Sequence, residues 1–402
     1  MKQRIALVTH CFESGGGVPS MTRYLNEVIQ TSGEYDCDII SLSISAHDPL
    51  SVLVHSPRSW FSGVRLDRQT HAGIPFTRVG AFAGDLEFQR YTPRRVLTKL
   101  LESYDLVQFV VGAPQWVCAA RETQKPILLW TATTLRADRA SQINVAKPFR
   151  RAWLRAMTWI CEKYERRGLQ LASDCLALSD YTLDSMRRWL PCENASVAIP
   201  GINLNSFFPD ANAEKRDFVC VCRLEDPRKN ILLLCKAYKD LYDLNNEISN
   251  LLLVGPGPSP AVKCYIRDSG LGAKIQVVGA KKGAELRQFY QRAYCFVLSS
   301  DEEGLGIVLQ EAMACGCPVI STACGGPETI VKDGYNGMLV PTGDAQSLTR
   351  AMNRLWSDKT MRNQMAENAL NYARANFSME ATGKVFLDLF RAHLAPKADT
   401  GP

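Results

Sequence analysis

The chain has 402 residues, 46% of them hydrophobic and 22% charged, which excludes a disordered or low-complexity protein and supplies apolar material for two cores. A formal net charge of +6 is too mild to make nucleic acid the expected partner, and 14 scattered cysteines with no Cys-x-x-Cys read as buried, reduced thiols of a cytoplasmic protein, not as disulfides or a metal centre. The N-terminal apolar run Ile5 to Val8 is too short for a signal peptide, and no stretch approaches the length of a membrane span.

In chain order, Ile5–Thr9 is predicted as a buried strand, Gly15-Gly16-Gly17 as a turn and Pro19 to about Ile29 as a helix with Pro near its start. Cys37–Ser43 is a strand, and residues 44–75 show no clean period and are read as irregular. Phe76–Val79, Leu106–Val111 and Ile127–Trp130 follow as strands, then a long helix from about Phe149 to Ala172, then strands Asp174–Leu178 and Ser196–Ile199. The polar stretch Pro200 to Asp217 reads as a linker. A second alternating series has strands at Phe218–Cys222, Leu251–Val254, Ile275–Val278, Cys295–Leu298 and Pro318–Ser321, with a helix at Ile231–Leu244. Three helices end the chain, about Leu348–Trp356, Thr360–Asn376 and Ser378–Leu394, before a tail, 396–402, expected to be disordered. Alternation of this kind implies parallel sheets covered by helices, with ligands at the carboxyl ends of the strands.

Three segments point to an anionic diphosphate. Arg223 leaves one strand and Lys229 enters the following helix, so both can face the helix N-terminus, where backbone N–H groups favour an anion; a solvated charged loop fits the segment equally. Gly304-Leu305-Gly306 precedes the helix from Ile307, and its glycines allow close approach of a phosphate, although a plain strand-to-helix turn has the same pattern. Gly16 and Gly17 follow the first strand but do not form Gly-x-Gly-x-x-Gly, which disfavours a dinucleotide site and leaves a mobile loop or a flexible turn. Glu303 and Glu311, with seven residues between them, add two carboxylates. Glu311 lies in an apolar run where an ionised group is costly unless hydrogen-bonded, and a ligand rich in hydroxyls, such as a ribose, would supply donors.

Residues 136–167 hold nine Lys/Arg against three Asp/Glu. Within them 147–159 combines Lys147, Arg150, Arg151 and Arg155 with Phe149, Trp153 and Trp159. A helix packed in the core with a solvated basic face is the preferred expectation; the other is a peripheral membrane contact through 147–159.

In order along the chain, Gly16-Gly17-Val18, Ile199-Pro200-Gly201-Ile202-Asn203 to Phe208-Pro209, Arg223 with Lys229, Ser299 to Glu311, Gly325-Gly326-Pro327-Glu328 and Asp333-Gly334-Tyr335-Asn336-Gly337 to Pro341 resemble the signatures of a retaining GT-B glycosyltransferase, family four, also called glycosyltransferase group 1. The resemblance implies two Rossmann-like doubly wound α/β domains facing a central cleft: 1–203 for the acceptor, 204–378 for the nucleotide sugar, and 379–402 as a helix returning to the first domain plus a tail. It implies a sugar moved from a nucleoside diphosphate, UDP favoured over GDP, to a hydroxyl of a sugar, polysaccharide or lipid-linked acceptor, with no cofactor and no divalent metal. Glu311 would bind the ribose, Glu303 the donor sugar as a binder and not a nucleophile, and Arg223 and Lys229 the departing diphosphate. Leu305 and Gly306 would offer backbone N–H groups, and the leaving phosphate would take the acceptor proton on the same face. The family often has a His where this chain has Ala132, beside Thr133, so the acceptor side departs from the pattern. Two other readings remain: a sugar-nucleotide epimerase of the same fold, and a nucleotide-sugar-binding protein without transfer.

Overall fold

The computed structural model describes residues 2–14, 16–189 and 194–395; Gly15 of the glycine turn and the tail 396–402 lie outside the described residues. The chain forms two compact units, one made of the residues up to Pro200 together with those from Thr382 onward, the other of Gly201–Ala381.

The first unit is built on an eight-stranded sheet, ordered β3-β4-β2-β1-β5-β6-β7-β8. Its strands are β1 Arg4–His10, β2 Asp36–Leu42, β3 Leu66–His71, β4 Ile74–Val79, β5 Leu106–Val111, β6 Ile127–Thr131, β7 Asp174–Ala177 and β8 Ala195–Val197. Every pair is parallel except β3 with β4. Strand β5 is buried along its whole length, as expected of a parallel strand covered on both faces. The segment 44–75, expected to be irregular, instead holds a short helix, Pro57–Ser62, and β3. β3 turns into β4 through Ala72 and Gly73, both at positive φ (51° and 80°), a backbone suited to a tight hairpin. As an edge strand of sequence Leu-Asp-Arg-Gln-Thr-His, β3 has no alternation to read.

The last helix, Met379–Leu394, completes the core of this unit. Phe386 and Phe390 are fully buried, and the Phe386 ring lies 4.6 Å from that of Trp130 and 6.2 Å from that of Tyr24. The Tyr24 and Thr382 hydroxyls share a hydrogen bond of 2.6 Å. Gly383 leaves room for Val28, whose Cγ1 would lie 2.9 Å from any added Cβ.

The helix Pro148–Leu171 buries Leu154, Thr158, Cys161, Gly168 and Leu169. A Cβ on Gly168 would lie 2.2 Å from the Pro114 carbonyl oxygen, so this contact admits glycine alone. The expectation that its aromatic residues pack in the core is corrected: Phe149, Trp153 and Trp159 are exposed, because the face of small residues is the one that docks.

The second unit has a six-stranded, all-parallel sheet, ordered β11-β10-β9-β12-β13-β14. Its strands are β9 Asp217–Val221, β10 Leu251–Val254, β11 Ile275–Gly279, β12 Ala293–Leu298, β13 Val319–Thr322 and β14 Gly337–Val340. Strand order reverses between β1 and β5 in one unit and between β9 and β12 in the other. Such switch points open a crevice at the carboxyl ends of the strands.

Because Phe386 is fully buried among aromatic rings, Phe386→Ala should cost the first unit about 3–5 kcal/mol in chemical denaturation. A cost below about 1 kcal/mol would mean that the helix is an appendage.

Candidate functional site

The loops after β9 and β12 are joined at the second switch point. Asp226 caps a short 3₁₀ turn, Pro227–Lys229, by accepting from the Arg228 N–H at 3.1 Å. Asn230 then adopts a left-handed conformation (φ 42°) and caps the helix Ile231–Leu244 by accepting from the Leu233 N–H. Across the gap the Asp301 N–H donates to the Arg228 carbonyl at 2.7 Å, the Ser299 hydroxyl to the Lys229 carbonyl at 2.9 Å, and the Asn230 amide to Asp301 Oδ1 at 2.9 Å.

This frame brings Lys229 onto Glu303. Lys229 Nζ lies 2.5 Å from Glu303 Oε1, and the Ser300 hydroxyl donates to the same oxygen at 2.6 Å. The two side chains are only 15% and 12% exposed, so the pair is mostly withdrawn from water. Arg223 is not part of this pair. Its Nη2 donates to Asp226 Oδ2 at 2.8 Å, where Arg228 also binds, and it remains largely exposed. Burial opposes ionisation of Asp226, but its bonds from Arg228 and the charge of Arg223 prevail and hold its carboxyl below the usual range.

Gly304-Leu305-Gly306 leads into the helix Ile307–Ala314. Gly306 sits at φ 86° as the N-cap and brings no side chain to cap the helix; its own carbonyl accepts from the Leu309 N–H at 2.8 Å. The loop is pressed from behind by Gly325 and Gly326. The Gly326 N–H donates to the Glu303 carbonyl at 2.9 Å, and a Cβ on Gly326 would lie 2.3 Å from the Leu305 nitrogen. Glu328 closes the loop after β13 by accepting from the Gly325 N–H at 2.9 Å.

Glu311 stands on the second turn of that helix. Among the described residues its hydrogen-bond partner is the Tyr290 hydroxyl, at 2.8 Å. Glu311 is half-buried as a residue, but its carboxyl is densely surrounded; this desolvation pushes it up to about 7, against the opposing pull of the Tyr290 bond.

In the first unit, Gly16 (φ 126°) is the N-cap and Gly17 the first residue of the helix Gly17–Ser32. At the β1/β5 switch point the Gly112 N–H donates to His10 Nε2 at 3.0 Å, and the His10 ring stacks on Trp116 at 5.0 Å. Burial pushes His10 down to about 4, so the imidazole is neutral with its proton on Nδ1. Ala132, which stands where the family often has a His, has its carbonyl accepting from the Thr182 hydroxyl at 3.0 Å. The Thr133 N–H is spent on the Gly112 carbonyl at 2.8 Å.

Sequence reasoning missed Asn230 and Tyr290 as parts of this construction, and held Ser300 and Gly326 only as members of resembling motifs, without roles. Asn230 before an apolar helical run is a readable cap signal. Nothing local announces Tyr290, which reaches Glu311 only across two packed helices.

Residues 203–372 match the family model described as glycosyl transferases group 1. The lipopolysaccharide core biosynthesis glycosyltransferase LpsE of Rhizobium meliloti is 34% identical over 122 residues, 30% of this chain and 35% of the relative. The chain spans between 35% and 55% of the length of the first curated relatives it matches. Among solved structures, a sucrose-phosphate synthase from Thermosynechococcus elongatus superposes with a TM-score of 0.74 at 23% identity, covering 98% of this chain and 100% of that one. Anabaena HepE in complex with UDP superposes with a TM-score of 0.72 at 17% identity, covering 98% and 100%. These likenesses establish the GT-B fold.

A carboxyl raised from 4.5 to about 7 stabilises the folded unit below pH 4.5, and that contribution is lost as pH rises through about 7. Glu311→Gln should therefore match the parent in stability below pH 4.5 and exceed it above pH 7 by on the order of 3 kcal/mol, read from the unfolding of the second unit. A difference independent of pH would show that Glu311 is not desolvated.

Proposed function

We propose that this chain, which has the GT-B fold and whose residues 203–372 are a glycosyl transferases group 1 domain, moves a sugar from a nucleoside diphosphate to a hydroxyl acceptor. The observation that carries the reading is the convergence of Lys229, Glu303 and a helix N-terminus without a side-chain cap at the β9/β12 switch point. A cation and a row of N–H donors suit a diphosphate, and a carboxylate beside them suits sugar hydroxyls.

In this reading the anomeric carbon–oxygen bond to the diphosphate breaks and a bond to the acceptor oxygen forms. The acceptor proton passes to a diphosphate oxygen on the same face, so configuration is retained without an enzyme nucleophile. Lys229 neutralises the charge developing on the leaving group, and Arg223, exposed and held by Asp226, swings in beside it while Arg228 keeps Asp226 in place. That charge makes a divalent metal unnecessary. Gly304, Leu305 and Gly306 admit the phosphate close to backbone. Glu303 orients the donor sugar, and Glu311 accepts from the ribose hydroxyls once ionised. UDP is favoured over GDP as the nucleotide, supported by the UDP held by HepE in the same fold. The acceptor is a sugar, a polysaccharide or a lipid-linked glycan, the last supported by the partial likeness to a lipopolysaccharide core enzyme. Every cysteine among the described residues is free, which supports a reducing, cytoplasmic setting.

The test is a panel of nucleotide sugars with and without hydroxyl acceptors, following UDP release and product. Transfer should depend on acceptor, and Lys229→Ala and Glu303→Gln should each lower kcat by about 10²–10³-fold. UDP at about 100 times its Kd should stabilise the second unit by about 2.7 kcal/mol, and Glu311→Ala should erase that gain. Interconversion of nucleotide sugars without acceptor would replace transfer by epimerisation. Tight UDP binding with no turnover across the panel would leave a binding protein.

A further inference from the structure

The helix Pro148–Leu171 is fixed to its unit along one side by Leu154, Thr158, Cys161, Glu165, Gly168 and Leu169. At roughly 100° per residue, the opposite side carries Phe149, Trp153 and Trp159 in one stripe. These side chains are 89%, 52% and 62% exposed, and the exposed Ala152 and Ala156 complete the stripe. Large aromatics gathered on one outward face are not accounted for by a core.

The charges around the stripe are of one sign. Lys147, Arg150 and Arg155 lie within its first turns, while Arg151 turns to the docked side and donates to the Ile143 carbonyl at 3.1 Å; no Asp or Glu occurs from 147 to 161. The acids further along are turned away: Glu162 pairs with Arg136 at 2.8 Å, and Glu165 accepts from the Leu135 N–H at 2.7 Å. Lys163 lies over the Trp159 ring at 4.0 Å, extending the aromatic ridge into a cationic end. From Phe149 to Trp159 the ridge is about 15 Å long, and as the outer side of a docked helix it is convex. A convex aromatic ridge with basic flanks fits the boundary between lipid headgroups and acyl chains, with the rings inserted and the cations at the phosphates. Among the described residues no helix is long and apolar enough to cross a membrane, so the contact is one of a surface.

We propose that the outward face of the helix Pro148–Leu171, centred on Phe149, Trp153 and Trp159, docks the protein onto an anionic lipid membrane. The inference uses no part of the nucleotide-sugar site and stands or falls separately from it.

The test is co-sedimentation of the full chain with phosphatidylcholine vesicles made with and without phosphatidylglycerol. Binding should be at least about tenfold stronger to the anionic vesicles and should weaken as salt is raised. Phe149→Ser with Trp153→Ser and Trp159→Ser should remove about tenfold or more of the affinity while the thermal unfolding profile stays as in the parent, since all three positions are exposed. Arg150→Glu with Arg155→Glu should abolish the preference for anionic lipid. Phe61→Ser, at a residue 94% exposed on a different helix, should leave binding at the parental level. Equal binding to both vesicle types, or a triple variant that binds like the parent, overturns the proposal. So does self-association without lipid that the triple variant loses, in a protein that ignores vesicles, because the stripe would then join two copies of the chain.

Discussion

The bond between Lys229 and Glu303 is the constraint around which the candidate site is arranged. An ammonium and a carboxylate withdrawn from water persist only where each gains enough from its surroundings to offset lost hydration. Here the Ser300 hydroxyl supplies a second bond to the same carboxylate oxygen. The partners lie 74 residues apart in sequence and meet because the sheet sets β9 beside β12. Strand order is thus a condition for the ion pair. The backbone bond from Asp301 to Arg228 and the tight seat of Gly326 against Leu305 keep the two loops at the spacing the ion pair needs.

The two units repeat one construction and differ in electrostatics. Each sheet reverses its strand order near the middle. In the second unit the reversal is charged, with Lys229, Glu303, Asp226 and two arginines around it. In the first it holds a neutral, stacked histidine bonded to a backbone N–H, with threonine hydroxyls and carbonyls nearby. The charged end suits a phosphate.

Much of this was legible from residues because the relevant forces are local. Strands β5 and β10 and the helix Ile231–Leu244 are read to the residue, since unbroken apolar runs leave few alternatives. β3 was hidden because an edge strand needs no apolar face. The helix Pro148–Leu171 was placed correctly but rotated wrongly: its aromatic residues outweighed, on paper, the modest face of Leu154, Thr158, Cys161 and Gly168 that seats against Pro114. Glu303 and Glu311 were singled out by spacing, yet their partners Lys229 and Tyr290 are set by packing between elements, which no period in the sequence encodes. Arg223, expected to face the helix N-terminus beside Lys229, is tied to Asp226, a pairing three residues away that spacing alone allowed but did not require.

The return of the last helix to the first unit has a consequence for how the protein is made. Residues 201–381 form one uninterrupted unit, whereas the first unit draws on both ends of the chain. A chain growing from its N-terminus therefore delivers everything the second unit needs before Phe386 and Phe390 exist. Until then the rings of Trp130, Tyr24 and Tyr35 face an open groove where those phenylalanines will lie. The order of completion is reversed with respect to the order of synthesis, and the last contacts to close are among the most distant in the sequence. A nascent chain exposes that apolar groove until Phe386 and Phe390 have left the ribosome, and exposed apolar surface of this kind favours aggregation.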